Sequence, residues 1–285
     1  MPRYAAVQME PVLLDPEANL EKIISLIHQV SKRGTQIAVF PECAVTGYAL
    51  SAEEAAAIAE PIPGPHTDIL SVACREAGLV AVVVGTIEKD EHDRLFNTAA
   101  LVGPDGLIAR YRKTHLPYLG VDRYLAAGDT LPGPFETSAG RLGMLICYDL
   151  RFPEPIRVLA LAGAQVILLP TAWPRAATLY PEFIAQSRAS ENGLYLIAAN
   201  RVGEERGTHY LGRSVIVGPD GEMLAEAHAE GEEILYVEID PAQSDRKQRI
   251  FVPNEYELDL FNDRRPELYR TLSTETDLFR ENVEQ

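Results

Sequence analysis

The strongest constraint on the fold is a strand–helix–strand pattern at the start of the chain. Residues 4–9 can form a strand, and residues 37–40 are a second apolar run of strand length. Between them, Asp15 is suited to cap a helix, Pro16 to occupy its first position and Gly34 to end it. A helix that joins two such strands places them side by side in parallel, through a right-handed crossover. The pattern therefore predicts an α/β sheet.

The same pattern returns in the second half of the chain. The predicted elements are, in order, a strand at 142–146, a helix that begins near Pro155 and ends at Gly163, a strand at 166–169, a helix at 181–191 and a strand at 194–199. The turn sequence Val-Gly-Pro-Asp-Gly also occurs twice, from Val102 and from Val217. Proline suits the second position of a type I turn and glycine the fourth, so we predict a β-hairpin at each copy. The repetition suggests two similar halves.

A mixed set of strands with helices on its outer faces makes a layered α/β sandwich. The chain of 285 residues is long enough to bury a substantial apolar core, and no Gly/Ser-rich or low-complexity linker interrupts it. We therefore expect a single α/β domain.

The charge of the chain argues against several classes of partner. Lysine and arginine total 26 against 42 acidic residues, so the formal net charge of −16 repels phosphate backbones and anionic membranes. No apolar run approaches the roughly 20 residues of a membrane-spanning helix, and no signal-peptide pattern is present. We expect a cytoplasmic protein that binds neither nucleic acid nor membranes.

Cysteine and histidine give no sign of a disulfide framework or a metal site. Three cysteines leave one unpaired under any disulfide scheme, and neither a CxxC nor an HExxH motif occurs. We therefore expect reduced thiols, no metal and no cofactor. Cys43 and Cys74 are expected to be buried in the core, whereas Cys147 lies in a segment of a different kind.

Three segments place a reactive side chain just beyond a predicted strand, which is where open α/β sheets gather their ligands. They are residues 40–48, 111–117 and 145–154, and they contain Glu42, Lys113 and Cys147. A thiol needs a proton acceptor and a cationic neighbour to act as a nucleophile, and the resulting intermediate needs a donor for its oxyanion. Glu42 and Lys113 meet these needs, so the three residues predict nucleophilic catalysis by Cys147.

At these three segments the sequence resembles the nitrilase superfamily of carbon–nitrogen hydrolases. The matching motifs are Pro41-Glu42, Arg112-Lys113 followed by Leu116-Pro117, and Cys147-Tyr148-Asp149, in the order that the family has. The resemblance runs from about Tyr4 to about Asp240. It implies a four-layer α–β–β–α sandwich whose subunits pair through helices beside the site, as a homodimer or a larger homo-oligomer. We expect a hydrolase domain at 1–245, and a C-terminal extension at 246–285 that lies across a partner subunit.

The reaction that the resemblance implies is hydrolysis of a carbon–nitrogen bond through a cysteine thioester. Glu42 would take the thiol proton and pass it to the leaving nitrogen, while Lys113 and the backbone N–H of Tyr148 would hold the oxyanion. The family places pocket walls, and a backbone carbonyl that meets the leaving nitrogen, in a segment that here contains Ala172 and Trp173. These two residues are therefore predicted to bind substrate.

One position departs from the family pattern. Family members often carry a second glutamate between the lysine and the cysteine, where this sequence offers only Asp122, which is one methylene shorter. This aspartate either takes over the glutamate's role at the substrate, or it only pairs with Arg123 or a loop amide.

Other mechanisms and other functions fit the sequence less well. No GxSxG elbow is present for a serine hydrolase. A Cys–His pair with His115 as the base is the rival mechanism. A catalytically silent binding protein and an amine-using acyltransferase are the rival functions. The intact set of Glu42, Lys113 and Cys147 favours a hydrolytic enzyme.

The segment that follows the nucleophile bears on the substrate. Residues 147–154 look most like the branch that includes ω-amidases and deaminated-glutathione amidases, so we expect a small amide, with nitriles and N-carbamoyl compounds as alternatives. In that branch the position of Arg151 meets a substrate carboxylate, which a guanidinium matches with two parallel hydrogen bonds. The alternative is that Arg151 is a structural partner of Asp149 or Glu154.

Overall fold

The first helix forms where the sequence predicts it, because its N-terminal cap is complete. Asp15 accepts a hydrogen bond from the backbone N–H of Ala18 at 3.0 Å, and Pro16 occupies the first helical position. This helix, α1 (Pro16–Ser31), is followed by Gly34, which turns the chain with a φ of +73°. The local signals at both ends of the helix are therefore the ones that the structure uses.

The computed structural model describes residues 1–274, and the chain divides into a large unit, Met1–Arg246, and a second unit that begins at Lys247. In chain order, the elements of the large unit are β1 (Arg3–Gln8), α1 (Pro16–Ser31), β2 (Ile37–Val39), α2 (Ala52–Ile58), α3 (Pro65–Ala77), β3 (Ala81–Lys89), β4 (Leu95–Gly103), β5 (Gly106–Arg112), β6 (Phe135–Thr137), β7 (Gly140–Met144), α4 (Pro153–Leu161), β8 (Val166–Pro170), α5 (Ala185–Asn192), β9 (Tyr195–Ala199), β10 (Glu204–Glu205), β11 (Thr208–His209), β12 (Val215–Val217), β13 (Met223–Glu226) and β14 (Glu233–Glu238). Short 3₁₀ turns lie at Gly120–Tyr124, Cys147–Arg151 and Pro241–Asp245. No helix within residues 1–274 is long and apolar enough to cross a membrane.

Two six-stranded sheets form the large unit, and they share one internal order. The first sheet is β14-β1-β2-β3-β4-β5 and the second is β6-β7-β8-β9-β12-β13. In each sheet three neighbouring strands are parallel, and the next two return as an antiparallel hairpin. An antiparallel edge strand, β14 or β6, completes each sheet. The hairpins β4–β5 and β12–β13 lie at the two Val-Gly-Pro-Asp-Gly turns, so both predicted hairpins and the two similar halves are confirmed.

Helices cover the outer face of each sheet. Ile23 of α1 and Leu70 of α3 belong to the same buried cluster as Val82 of β3, so α1 and α3 cover the first sheet. The second sheet is covered by α4 and α5, with Leu159 of α4 against Gly143 of β7. The inner faces meet through β2 and β3 on one side and β8 and β9 on the other. This is the expected four-layer α–β–β–α sandwich.

Two predicted elements differ from the structure, and they do so next to each other. The strand β7 ends at Met144 rather than at residue 146, because the chain leaves the sheet to enter the 3₁₀ turn Cys147–Arg151. The helix predicted at 181–191 opens as a π-helical turn, Tyr180–Ile184, before it continues as α5. The two turns pack against each other. Wide helical turns of this kind are frequent at functional sites.

The second unit contains the antiparallel hairpin β15 (Gln248–Val252) and β16 (Tyr256–Asp259), followed by 3₁₀ turns at Pro266–Leu268 and Arg270–Ser273. Its surface is rich in exposed apolar side chains, namely Ile250, Phe251, Val252, Tyr256, Leu258, Leu268, Tyr269 and Leu272. Residues 275–285 of the predicted extension lie outside the described residues.

Candidate active site

Four loops bring the candidate catalytic residues together beyond the ends of the strands. Glu42 lies in the turn after β2, Lys113 directly follows β5, and Asp122 lies in the 3₁₀ turn Gly120–Tyr124. Cys147 begins the 3₁₀ turn after β7. The side chains of Glu42 and Lys113 are 0% exposed, whereas Cys147 is 7% exposed. Cys147 is therefore the most accessible residue of the cluster.

The ammonium group of Lys113 is the centre of the cluster. Its Nζ donates to Oε1 of Glu42 at 2.6 Å and to Oδ2 of Asp122 at 2.5 Å. The backbone of Lys113 is fixed as well, because its N–H donates to the carbonyl of Asn97 and its carbonyl accepts from Gly128, both at 2.8 Å. A buried ammonium is tolerated when carboxylates and good geometry compensate its lost hydration. The two carboxylates provide that compensation.

The contacts of Asp122 decide between the two interpretations of this residue. Its Oδ2 accepts from Lys113 and from the hydroxyl of Tyr48, the latter at 2.8 Å, and its Oδ1 accepts from the amide of Asn97 at 2.9 Å. Arg123 instead donates to a backbone carbonyl of its own turn at 3.0 Å. The interpretation in which Asp122 only pairs with Arg123 or a loop amide is therefore wrong. Asp122 belongs to the buried cluster.

The two carboxylate oxygens of Glu42 have different surroundings. Oε1 accepts from Lys113 at 2.6 Å and from the amide nitrogen of Asn97 at 2.7 Å. Oε2 accepts no hydrogen bond from another described residue in the resting geometry. The carboxylate also lies close enough to the Cys147 thiol for each group to change the pKa of the other. Glu42 therefore has one oxygen that is held and one that is available.

Burial and neighbouring charges set the protonation states of the cluster. Burial raises the pKa of Glu42, an effect that Lys113 partly offsets. Burial raises the pKa of the Cys147 thiol well above its usual value, and the Glu42 carboxylate raises it further. Burial alone would lower the pKa of Lys113, but Glu42 and Asp122 raise it well above normal. At neutral pH the site therefore holds a protonated thiol beside a charged ammonium.

Cys147 occupies an elbow between β7 and α4. Its φ of +45° lies in the left-handed region, which a residue with a β-carbon rarely adopts and which is found at active sites. The first hydrogen bond inside the 3₁₀ turn runs from the N–H of Asp149 to the carbonyl of Ile146 at 2.9 Å. The N–H groups of Cys147 and Tyr148 precede it, so the turn itself does not use them. Free N–H groups beside a thiol suit the binding of an oxyanion.

Asp149 braces this elbow. Its Oδ2 accepts from the backbone N–H of Ile146 and from the hydroxyl of Tyr111, both at 2.9 Å. Its Oδ1 accepts from the hydroxyl of Thr114 at 3.1 Å. Tyr111 and Thr114 flank the lysine of the cluster in sequence, so one buried carboxylate connects the loop that carries the ammonium to the turn that carries the thiol.

The ring of His115 is engaged with Asp149 and not with the thiol. Its Nδ1 lies 2.8 Å from Oδ1 of Asp149, and its backbone N–H donates to the same oxygen at 3.1 Å. The ring is stacked on Phe152 at a centroid distance of 4.0 Å. Glu42 is the group that interacts with the Cys147 thiol, so the geometry favours Glu42 over His115 as the base.

Comparison with known proteins agrees with this geometry. Residues 3–248 match the family described as carbon-nitrogen hydrolase. The chain belongs to that family. A nitrilase of Pyrococcus abyssi is 41% identical over 273 residues, covering 94% of this chain and 99% of the relative. Omega-amidase NIT2 of Bos taurus is 34% identical, covering 84% and 88%. The structure of the NitN amidase of Nesterenkonia sp. AN1 has a TM-score of 0.79 and 30% identity, covering 95% and 100%.

In this carbon-nitrogen hydrolase, Ala172 and Trp173 follow β8 and lie beside the elbow. The backbone N–H of Ala172 lies close enough to the sulfur of Cys147 to lower the pKa of the thiol. It therefore partly offsets the effect of burial, which raises that pKa. Trp173 is fully buried, and its ring is stacked on Tyr180 at 5.1 Å. Its backbone N–H donates to the side chain of Asn200 at 2.8 Å. The main chain beside the thiol is therefore held rigidly.

Tyr180 is a residue of the site that sequence reasoning missed. It begins the π-helical turn and stacks on Trp173. Burial raises the pKa of its hydroxyl, and the charges of Cys147 and Arg151 act on the same group. No motif contains Tyr180, and in the sequence it is only the residue that precedes Pro181, where the predicted helix begins.

Tyr148 and Arg151 lie on the accessible side of the turn. Tyr148 is half-buried and packs edge-to-face against Phe152, with a centroid distance of 5.2 Å. Arg151 is exposed, and its guanidinium forms no ion pair with another described residue. The structural alternative for Arg151, a pairing with Asp149 or Glu154, is therefore wrong.

A second buried ion pair supports the loop between the Glu42 turn and α2. Glu205 pairs with Arg201, and its Oε2 accepts the backbone N–H groups of Tyr48 and Ala49 at 3.0 Å and 2.9 Å. The hydroxyl of the same Tyr48 donates to Asp122. No sequence motif indicates this support, because Glu205 and Tyr48 are far apart in the chain.

Gly85 of β3 supports the Glu42 turn from behind. Its N–H donates to the carbonyl of Pro41, and its carbonyl accepts from Val45, both at 3.2 Å. An added β-carbon would lie 2.5 Å from the backbone nitrogen of Cys43 and 2.7 Å from Cα of Glu42. Because both contacts are with backbone atoms, the turn would have to move.

We expect Gly85→Ala to lower kcat/KM by about 10²-fold or more, the usual effect of displacing a catalytic group by about 1 Å. The loss of stability should stay at about 1–3 kcal/mol, as measured by denaturant unfolding. Gly103→Ala is the control, because its methyl would meet the flexible end of Ile108 at 2.8 Å and a backbone atom, the carbonyl oxygen of Val80, only at 3.1 Å. Wild-type kcat/KM in Gly85→Ala would contradict the close fit of the turn.

Glu42→Gln should lower kcat by about 10²-fold or more, because an amide cannot accept the thiol proton. His115→Asn should stay within about tenfold of wild type, since it loses at most a hydrogen bond and a stacking contact. Ammonia release from a small amide measures both. A loss in His115→Asn as large as that in Glu42→Gln would restore the Cys–His mechanism.

Proposed function

We propose that this protein hydrolyses a small amide to a carboxylate and ammonia through a thioester on Cys147. Glu42 acts as general base and then as general acid, and Lys113 stabilises the oxyanion. One observation carries the proposal: a buried carboxylate whose Oε1 is held by two donors and whose Oε2 is free lies beside a thiol. This is the arrangement that a proton acceptor for a nucleophile requires.

The first half of the reaction forms the thioester. As the sulfur of Cys147 attacks the amide carbon, Oε2 of Glu42 takes the thiol proton, so no free thiolate accumulates in a site that raises the pKa of the thiol. The carbonyl oxygen becomes an oxyanion, for which Lys113 and the backbone N–H of Tyr148 are the donors. Collapse of the intermediate breaks the carbon–nitrogen bond. The proton on Glu42 passes to the nitrogen, and ammonia leaves.

The second half of the reaction consumes the thioester. Glu42 is ionised again and takes a proton from a water molecule as the water oxygen attacks the thioester carbon. The same donors hold the second oxyanion. The carbon–sulfur bond then breaks, the sulfur regains the proton from Glu42, and the product leaves as the carboxylic acid. In solution that acid ionises to the carboxylate, and its proton passes to ammonia. Each proton that Glu42 accepts is returned, so the enzyme ends in its starting state.

Asp122 keeps Lys113 in place while the charge of Glu42 changes. When Glu42 holds the thiol proton it is neutral, and its attraction for the ammonium group weakens. The contact of Nζ with Asp122 at 2.5 Å persists through that step. Asp122 therefore provides a negative charge beside the ammonium that stays constant while the charge of Glu42 changes.

Solved structures of a relative support an amide as substrate. The Nesterenkonia amidase has been described in complex with butyramide, and with the acetamide moiety of fluoroacetamide attached to its active-site cysteine. The relative from Pyrococcus abyssi carries the name nitrilase, so a nitrile is the second candidate. An N-carbamoyl compound could be cleaved by the same three residues.

We further propose that the amide carries a carboxylate some carbons from the scissile group. Arg151 is exposed, unpaired among the described residues, and four positions after Cys147. The charges of Arg151 and of Cys147 both change the pKa of the Tyr180 hydroxyl, so the guanidinium lies near the site. A local positive group is also what a chain of net charge −16 needs to admit an anion.

The test compares an ω-amide of a dicarboxylic acid with its neutral methyl ester. Wild type should prefer the carboxylate by at least about tenfold in kcat/KM, because a charge-assisted pair orients the amide carbon toward the thiol. Arg151→Lys keeps the charge but loses the planar fork, so the preference should shrink without vanishing. Ammonia release measures each rate.

Two controls belong to this comparison. Arg175→Lys changes an exposed arginine that pairs with Glu230, and it should leave the preference unchanged. Cys147→Ala should release no ammonia from either compound, and mass spectrometry of the active enzyme should find an acyl adduct on Cys147. Turnover by Cys147→Ala rules out the mechanism, whereas a wild-type preference for the ester rules out only the carboxylate.

We also propose that the protein assembles as a homodimer or a larger homo-oligomer through the helices beside the site. Val158 and Leu161 of α4 and Phe183 of the π-helical turn are exposed by 51%, 45% and 61%. Burial of such side chains against a second copy would remove apolar surface from water.

Light scattering should give at least twice the single-chain mass of 31.4 kDa. Phe183→Glu should lower that mass, because it places a charge in the apolar contact. Val72→Glu changes an equally apolar exposed residue on α3, which covers the other sheet, and should have no effect. A wild-type mass near 31.4 kDa would contradict the assembly.

A further inference from the structure

The side-chain amide of Asn97 connects the two carboxylates of the site. Asn97 lies on β4, and its side chain is buried. Its Nδ2 donates to Oε1 of Glu42 at 2.7 Å and to Oδ1 of Asp122 at 2.9 Å. An amide nitrogen has two hydrogens, so both are used. The carboxylates thus share two donors, the ammonium of Lys113 and the amide of Asn97.

The orientation of this amide is determined by its surroundings. On the opposite side, Oδ1 of Asn97 lies 3.8 Å from the Sγ of Cys43, which is a thiol donor. A flipped amide would turn its oxygen toward Glu42 and Asp122, two groups that only accept hydrogen bonds when ionised. The flipped form would therefore lose three contacts and place like partial charges together. The nitrogen faces the carboxylates for this reason.

Two donors on one oxygen of Glu42 fix the plane of its carboxylate. Lys113 alone would not do so, because an ammonium on a flexible stem can bond to either oxygen as the carboxylate turns. Asn97 is attached to a strand whose backbone also binds the backbone N–H of Lys113, so its position is rigid. With Oε1 held from two directions, Oε2 is the oxygen that remains for the thiol.

We propose that Asn97 is a positioning residue, which presents Oε2 of Glu42 to the thiol of Cys147. The inference rests on the proposed function, in which Glu42 accepts the thiol proton. Asn97 touches neither the thiol nor the substrate, and it acts through Glu42. Its amide also favours the ionised form of both carboxylates, which have only one ammonium between them.

Loss of the amide should change the acid side of the pH profile. Hydrogen bonds to a carboxylate favour its charged form and lower its pKa, so their removal raises the pKa of Glu42. Glu42 must be ionised to take the thiol proton. The pH below which Cys147 loses reactivity should therefore move upward, whereas a merely structural change would lower the folded fraction and leave that pH in place.

The experiment measures alkylation of Cys147 by iodoacetamide as a function of pH, with the labelled peptide located by mass spectrometry. This readout needs no knowledge of the substrate. Asn97→Leu keeps the approximate size of the side chain and removes both donors. The acid limb of its profile, which is the pH range over which alkylation of Cys147 is lost as the pH falls, should lie about one pH unit or more above that of wild type. Asn97→Ala removes the same donors with less crowding, and provides the test if the leucine variant does not fold.

Thr98→Val is the matched control. Thr98 is the next residue on β4, fully buried, and its hydroxyl donates to Glu88 at 2.7 Å on the other face of the strand. Its loss removes a buried hydrogen bond without touching Glu42, so the acid limb should stay at the wild-type pH. A shift in the Asn97 variants that Thr98→Val does not share supports the inference.

An acid limb that is the same in wild type and in the Asn97 variants overturns the inference and leaves amide hydrolysis intact. The reverse case is also distinguishable. If no amide is hydrolysed but the limb moves in the Asn97 variants, the proposed substrate is wrong and the positioning role stands.

Discussion

A buried ammonium between two carboxylates is the interaction on which the rest of the site depends. Removing three charges from water is costly, and the cost is tolerated only where every group is paired at short range. Here Nζ of Lys113 meets Glu42 at 2.6 Å and Asp122 at 2.5 Å. The surrounding hydrogen bonds hold these groups at fixed positions. Tyr48, Asn97 and the pair of Arg201 and Glu205 all serve that cluster, and none of them needs to meet the substrate.

The secondary structure was largely predictable, because its signals are local. The cap at Asp15, the buried run after Gly34 and the two Val-Gly-Pro-Asp-Gly turns each specify a structure within a few residues of themselves. The exceptions lie beside the thiol, where β7 ends early and a π-helical turn precedes α5. At such places local preference yields to the geometry of the site.

The candidate site was predictable only in part. Glu42, Lys113 and Cys147 could be recognised because each stands in a short motif. Asn97 could not, since a buried asparagine in an apolar strand has no motif, and its partners are separated from it by 55 and 25 residues. Asp149 does stand in a motif, yet its partners Tyr111, Thr114 and His115 lie 34 to 38 residues away in sequence and meet it only in the folded chain. Polar networks of this kind are a property of tertiary structure.

The duplicated order of the two sheets has a consequence for how the chemistry is distributed. The loop after β2 carries Glu42, and the equivalent loop after β8 carries Thr171, whose carbonyl accepts the backbone N–H of Glu42 at 3.3 Å. The two copies therefore touch at corresponding points. One copy holds the groups that we propose to handle protons, and the other holds the sulfur. Like the subunits of a heterodimer, the halves have taken complementary roles, and neither encloses a complete site by itself.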